Sequence, residues 1–178
     1  MSNAGKALLF AAVVGWALPA RADERVRDYT ASLTCGRSTL TVKTRLWLHP
    51  DLPLRWLGQT LTLSREGERG ARVLPLEGRP RARIASGQTG LDAVVNSWVC
   101  VTSDQGVNLL LLGYACGAQD RERYCGGEEE WFRILDEHGR RLDAGFSRQD
   151  RRYDALHETL GVSKMMADGV RMSSVTLD

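Results

Sequence analysis

The chain has 178 residues, with 24 Lys+Arg against 22 Asp+Glu and a formal charge of +2. That length suits one domain with a single hydrophobic core, and the near-neutral balance excludes strong long-range attraction to nucleic acid or anionic lipid. The basic excess belongs to the first residues: removing residues 1–22 takes away Lys6 and Arg21 and no acid, leaving residues 23–178 formally neutral.

Those first residues carry the pattern of an export signal. Lys6 is a short positive region, Ala7 to Ala17 is an apolar run, and Ala20-Arg21-Ala22 is a small-x-small cleavage site. Cleavage after Ala22 is expected, with residues 1–22 as signal peptide and residues 23–178 as a single mainly β domain beginning at Asp23. The apolar run is shorter than the roughly 20 residues a membrane span needs, and Pro19 follows it. No later stretch is long or apolar enough to span, so a soluble periplasmic protein is expected. All four cysteines, Cys35, Cys100, Cys116 and Cys125, lie beyond the signal. An even count in an exported chain predicts two disulfides, for which sequence alone allows three pairings.

Thr39 to Leu48 alternates Leu40, Val42, Leu46 and Leu48 against Thr41, Lys43, Arg45 and Trp47, the period-two pattern of a half-buried strand. Pro50 and Pro53, which lack ladder donors, end it. Thr60 to Ser64 and Ala71 to Leu76 read as a hairpin around Gly67 and Gly70. Arg65 to Arg83 holds a local excess of arginine without interleaved aromatics for stacking bases, and reads as a solvated face. Gly78 to Gly90 is polar and rich in breakers, a long connection.

Ser97 to Thr102 and Val107 to Ala115 flank the turn SDQG, and the second of these strands is continuously apolar, as expected of a central strand covered on both faces. Glu130 to Leu135 and Arg141 to Phe146 flank DEHG as a further hairpin. Ser147 to Leu160 alone reads as helical, with Tyr153, Ala155, Leu156 and Leu160 on one face and Gly161 as a C-terminal cap. Val170 to Leu177 reads as a final strand. Repeated antiparallel hairpins suit a sandwich, a barrel or an irregular propeller-like arrangement, with one C-terminal α-helix.

A hairpin turning near Gln105 puts Cys100 opposite about Leu110, too far from Cys116 for the usual Cα spacing of about 4.4 to 6.8 Å. Cys116 is therefore expected to pair with Cys125 and, by elimination, Cys35 with Cys100.

The stretch YACGAQDRERYCGGEEEWF, Tyr114 to Phe132, concentrates the candidate chemistry. Eight residues between its cysteines do not match zinc spacing, and consecutive acids on a strand point to opposite faces, so no metal or other cofactor is expected. His49, His138 and His157 read as turn or surface histidines. G-x-S-x-G, H-E-x-x-H and phosphate-loop patterns are absent, so no catalytic residue is assigned. Asp154 and Glu158 share a helical face near Arg151 and Arg152, and surface ion pairing is the default reading of a carboxylate pair there. Hydrolysis by paired carboxylates is the weakest of the function classes kept.

A cysteine-closed loop is stiff and presents its side chains to a partner at lower entropic cost. Arg121 and Arg123 can pair with carboxylates, Tyr124 offers an amphipathic anchor, and Asp120, Glu122, Glu128 and Glu129 can meet cations. Equally open is a charged, stapled connection facing water.

The succession SWVCVTSDQGVNLLLLGYACG and CGGEEEWFRILDEHGRRL, from Ser97 to Leu142, resembles small exported bacterial proteins that look like periplasmic immunity proteins of type VI secretion systems. The resemblance implies a protein that binds and blocks a peptidoglycan-degrading enzyme, and it carries over no contact residue. The leading expectation is a non-enzymatic inhibitor that inserts its loop into a hydrolase cleft. The alternative is an envelope accessory protein binding a glycan or peptide in a groove near Trp47, Trp56 and Trp98.

Overall fold

A computed structural model describes residues 25–83, 87–118, 120–162 and 168–171. The expected signal peptide and its cleavage site lie outside the described residues. Four strands, β1 (Arg25–Cys35), β2 (Ser38–His49), β3 (Leu52–Arg65) and β4 (Ala71–Leu74), form an antiparallel sheet in sequence order. Cys35 pairs with Ser38 across a two-residue turn in which Gly36 takes a φ of 61°, the positive value such hairpins need. After a short pair, β5 (Pro80–Arg83) and β6 (Thr89–Leu91), come β7 (Ala93–Thr102), β8 (Asn108–Cys116), β9 (Glu130–Asp136) and β10 (Asp168–Arg171). These make a second antiparallel sheet in the order β10-β7-β8-β9. The helices are α1 (Arg121–Cys125) and α2 (Arg152–Leu160).

The two large sheets share one core and form a sandwich rather than a closed barrel. Leu40, Val42, Leu61 and Leu63 of the first meet Val95, Trp98, Leu110, Leu112 and Tyr114 of the second. On the opposite face of the second sheet Val101, Leu109, Leu111 and Ile134 are covered by Tyr153, Leu156 and Leu160 of α2. Strand β8 is thus buried on both sides, as its unbroken apolar run requires.

Cys100 lies opposite Leu110, and the disulfides are Cys35–Cys100 and Cys116–Cys125, with Cα separations of 5.3 and 6.0 Å. Both expected pairings are present. Cys35–Cys100 ties the end of β1 to the C-terminal part of β7 and so fastens one sheet to the other.

Several elements differ from the sequence expectation. Trp47, expected opposite the buried positions of β2, is itself buried: it belongs to neither core cluster and stacks on His49 at a ring separation of 5.6 Å, beside a register shift that leaves Leu57 of β3 unpaired. Arg141 to Phe146 forms no strand. Beyond a single bridge from Arg141 to Leu135 the chain turns inward and buries Asp143 completely. Helix α2 starts at Arg152 rather than near Ser147, since the Asp150 carboxylate accepts the Arg152 amide at 3.0 Å and holds residues 147–150 in a turn. Gly161 caps it with a φ of 64°, as expected, while Ala155 is exposed. The connection from Gly78 to Gly90 contains β5 and β6, and the final strand is described only to Arg171, with residues 172–177 outside the described residues.

Replacing Cys35 and Cys100 together by alanine, which leaves no free thiol, is expected to cost about 4 kcal/mol, against about 3 kcal/mol for the Cys116 and Cys125 pair, because the longer ring restricts the unfolded chain more. Urea denaturation of the two double variants checks the order.

Candidate functional site

The connection between β8 and β9 carries the predicted contact residues, and it is a one-turn helix rather than an open loop. So short a helix does not stand by propensity alone. The Asp120 carboxylate accepts the Arg123 amide at 3.1 Å, and Gly126, at a φ of 64°, caps the C-terminal end. The Cys116–Cys125 bridge ties it to β8, and the Cys116 amide donates to the Glu129 carbonyl at 2.8 Å across the base of the connection. At Gly117 a Cβ would stand 2.5 Å from the Leu91 carbonyl oxygen, so only glycine lets the chain leave β8 this closely. From behind, Arg148 donates through Nη1 to the Cys125 carbonyl and lays its guanidinium 3.9 Å from the centre of the Trp131 ring.

Asp120, Arg121, Glu122, Arg123 and Glu129 are exposed, while Glu128 is half-buried. Arg121 pairs with Glu129 at 3.1 Å, and the Arg123 guanidinium sits 5.3 Å from the Tyr124 ring centre. Tyr124 itself packs against the shared core, so only part of its ring is open to a partner. Residues 120–130 hold five acids and two arginines. The result is a fixed, predominantly acidic surface.

The three tryptophans form no exposed aromatic platform among the described residues. Trp47 and Trp98 are buried and Trp56 is half-buried, and their indole nitrogens make no hydrogen bond. Each histidine is engaged locally: His49 stacks on Trp47 and accepts the Asp51 amide, His138 sits beside Arg65 and Glu137, and His157 lies on α2 near Tyr153. Asp154 and Glu158 are exposed on α2. Among the described residues no group of three or more His, Cys, Asp or Glu side chains is placed to hold a metal ion.

A buried charged network was not anticipated from the sequence. Arg133 lies on the inward face of β9 between Trp131 and Leu135 and is only 5% exposed. Glu77, from the segment after β4, accepts from Arg133 Nε and Nη2, from Trp131 Nε1 at 3.0 Å and from Arg141 Nη1 at 3.1 Å. Asp143, fully buried, accepts from Arg141 Nε at 3.0 Å and from the Tyr153 hydroxyl at 2.5 Å. Tyr153 in turn accepts from Arg133 Nη1 at 2.7 Å. Burial works against the Arg133 charge, yet the hydrogen bonds and the charge of Glu77 hold its pKa above the ordinary value. Burial, aided by the bond to Asp143, pushes Tyr153 up to about 12, and burial with the nearby Glu77 charge does the same for Tyr114. A cleft of about 190 Å³ opens beside Glu77, walled by Leu76, Leu112, Tyr114 and Leu135. Both oxygens of Glu77 are already occupied, so the cluster locks structure rather than offering a free acid. A charge at the inward period-two position between Trp131 and Leu135 is the signal that could have located it.

Fold and site together define an antiparallel β-sandwich with two disulfides, whose β8–β9 connection is a stapled, acidic one-turn helix. No family model, curated protein or solved structure matches the chain.

Glu77→Gln leaves Arg133 buried without its main counter-charge and is expected to cost about 3 kcal/mol in chemical denaturation. For both tyrosines the folded pKa lies above the unfolded value of about 10, so their contribution to stability is complete below pH 10 and is lost as pH rises toward 12. Denaturation midpoints should fall over that window, and less steeply in Tyr153→Phe.

Proposed function

We propose that this is an exported, periplasmic protein-binding protein that acts as an immunity or inhibitor protein, blocking a cell-wall-degrading toxin or hydrolase with helix α1 and its acidic flank. The observation that carries this reading is the rigid acidic surface over residues 120–130, braced by a disulfide, a cap at each helix end and the Arg148 contacts. A surface already held in one conformation binds without the entropic cost of ordering a free loop. An enzyme that grips an anionic wall polymer presents cations around its cleft, and fixed acids are the complementary charge. Arg121, half-exposed and paired only at the surface with Glu129, exchanges that partner for a carboxylate of the enzyme at little cost. Two disulfides support an oxidising compartment.

Peptidoglycan hydrolases of the glycosidase, amidase and endopeptidase types, assayed with and without the purified protein, provide the test. One of them should lose activity at near-equimolar inhibitor, and the affinity should fall as salt is raised. Combining Glu122→Lys with Glu129→Lys should weaken inhibition at least about tenfold through mismatched charge while the unfolding midpoint stays close to that of the parent. Failure of the protein to bind or inhibit any of these enzymes would refute the reading.

A further inference from the structure

The outward face of the first sheet carries chemistry that neither the core nor α1 uses. Register places Ser32, Thr41 and Thr62 in one row across β1, β2 and β3, Thr30, Lys43 and Thr60 in the next, and Asp28, Arg45 and Gly58 in a third. Across the strands neighbouring positions stand about 4.8 Å apart, and along each strand about 6.8 Å, so the rows form a regular grid. The last two rows, with the intervening Tyr29, Thr44 and Gln59, line a groove of about 370 Å³.

Three features set this groove apart from an ordinary exposed sheet. Gly58 interrupts a strand of 14 residues, and a Cβ placed there would meet nothing closer than the Arg45 Cβ at 4.0 Å. Its φ is not positive, so the register shift beside it does not require glycine. Glycine inside a strand weakens it and marks a place where something approaches the backbone closely. Lys43, exposed between two threonines, has no carboxylate partner among the described residues, and the Thr30 and Thr60 hydroxyls make no hydrogen bond there either. Arg45 meets Asp28 only at 3.7 Å with both side chains largely exposed, a pair that dissolves at little cost. β-propensity accounts for the threonines but not for the unpartnered ammonium or the missing side chain at position 58.

We infer that this groove binds an anionic cell-wall glycan strand, with its carboxylates toward Lys43 and Arg45 and its ring hydroxyls toward Thr30 and Thr60. Hydroxyls both donate and accept, which matches a polyol, and the two cations select the charged glycan over a neutral one. The one aromatic of the lining, Tyr29, is half-buried and packs against the core, so the contact is mainly polar, weak at each site, sensitive to salt, and strengthened by repetition along the polymer. The inference rests on the exported compartment proposed above but not on the inhibitor role, because α1 contributes nothing to the groove.

The test measures binding of the full chain to glycan strands freed of their peptides, which expose carboxylates at regular intervals, against chitin oligomers as the neutral counterpart. The charged strands should bind and the neutral ones should bind at least about tenfold more weakly. Lys43→Glu should abolish the preference, and Gly58→Thr, which fills the groove without changing charge, should weaken binding by a similar factor. Lys43 is exposed and Gly58 half-buried, and unfolding midpoints verify that both variants fold. The Glu122→Lys and Glu129→Lys variant should retain glycan binding, which separates this site from α1. No binding, equal binding of the two glycans, or binding unchanged by Lys43→Glu would overturn the proposal.

Discussion

Arg133 is a permanent cation on the inward side of a strand, and a buried guanidinium is tolerated only where a counter-charge and acceptors meet its donors. Besides the carbonyl of its own neighbour Phe132, satisfying it recruits three separate pieces of chain: Glu77 after β4, Tyr153 from α2, and Asp143 from the turn that follows β9. Arg141 bridges the two carboxylates, and Trp131 reaches the same glutamate. Because Trp131 also supports Arg148, the network extends to the back of α1. One edge of the sandwich, the covering helix and the stapled connection are therefore fixed by a single electrostatic requirement.

Cysteine geometry, hairpins and the central strand were legible because their signals are local. Leu40 and Val42 alternate with Thr41 and Lys43, and glycines sit where turns need them. Strand β1 escaped notice because its inward positions, Tyr29, Ala31 and Leu33, are only half-buried and its start is crowded with charge. The burial of Trp47 leaves no mark in the pattern of residue types, because it occurs at a position alternating with the inward Leu40, Val42 and Leu46. The helix α1 depends on a bridge and a cap rather than on propensity, and the sequence of five residues does not announce it. Glu77 and Arg133 are 56 positions apart, and their pairing is a property of the fold.

Legibility of the candidate sites follows the same division. The acids and arginines of residues 120–129 could be named in advance, but their state could not: Asp120 caps the helix, Arg121 is paired with Glu129, and Tyr124 leans on the core. The tryptophans, natural candidates for a ligand platform, are taken up by packing. The outer grid of the first sheet becomes apparent only once the registers of β1, β2 and β3 are known, since Thr30, Lys43 and Thr60 come from three successive strands.

The brace around α1 divides its residues into two kinds. Cys116, Gly117, Asp120, Cys125 and Gly126 hold the backbone where it is, whereas the side chains of Arg121, Glu122, Arg123 and Glu129 are exposed and are engaged at the surface, Arg121 with Glu129 and Arg123 beside the Tyr124 ring. Changes at those four positions can remodel the surface without disturbing the sandwich. The protein is in this sense its own display scaffold, able to drift toward a changed partner one exposed charge at a time while its frame stays constant.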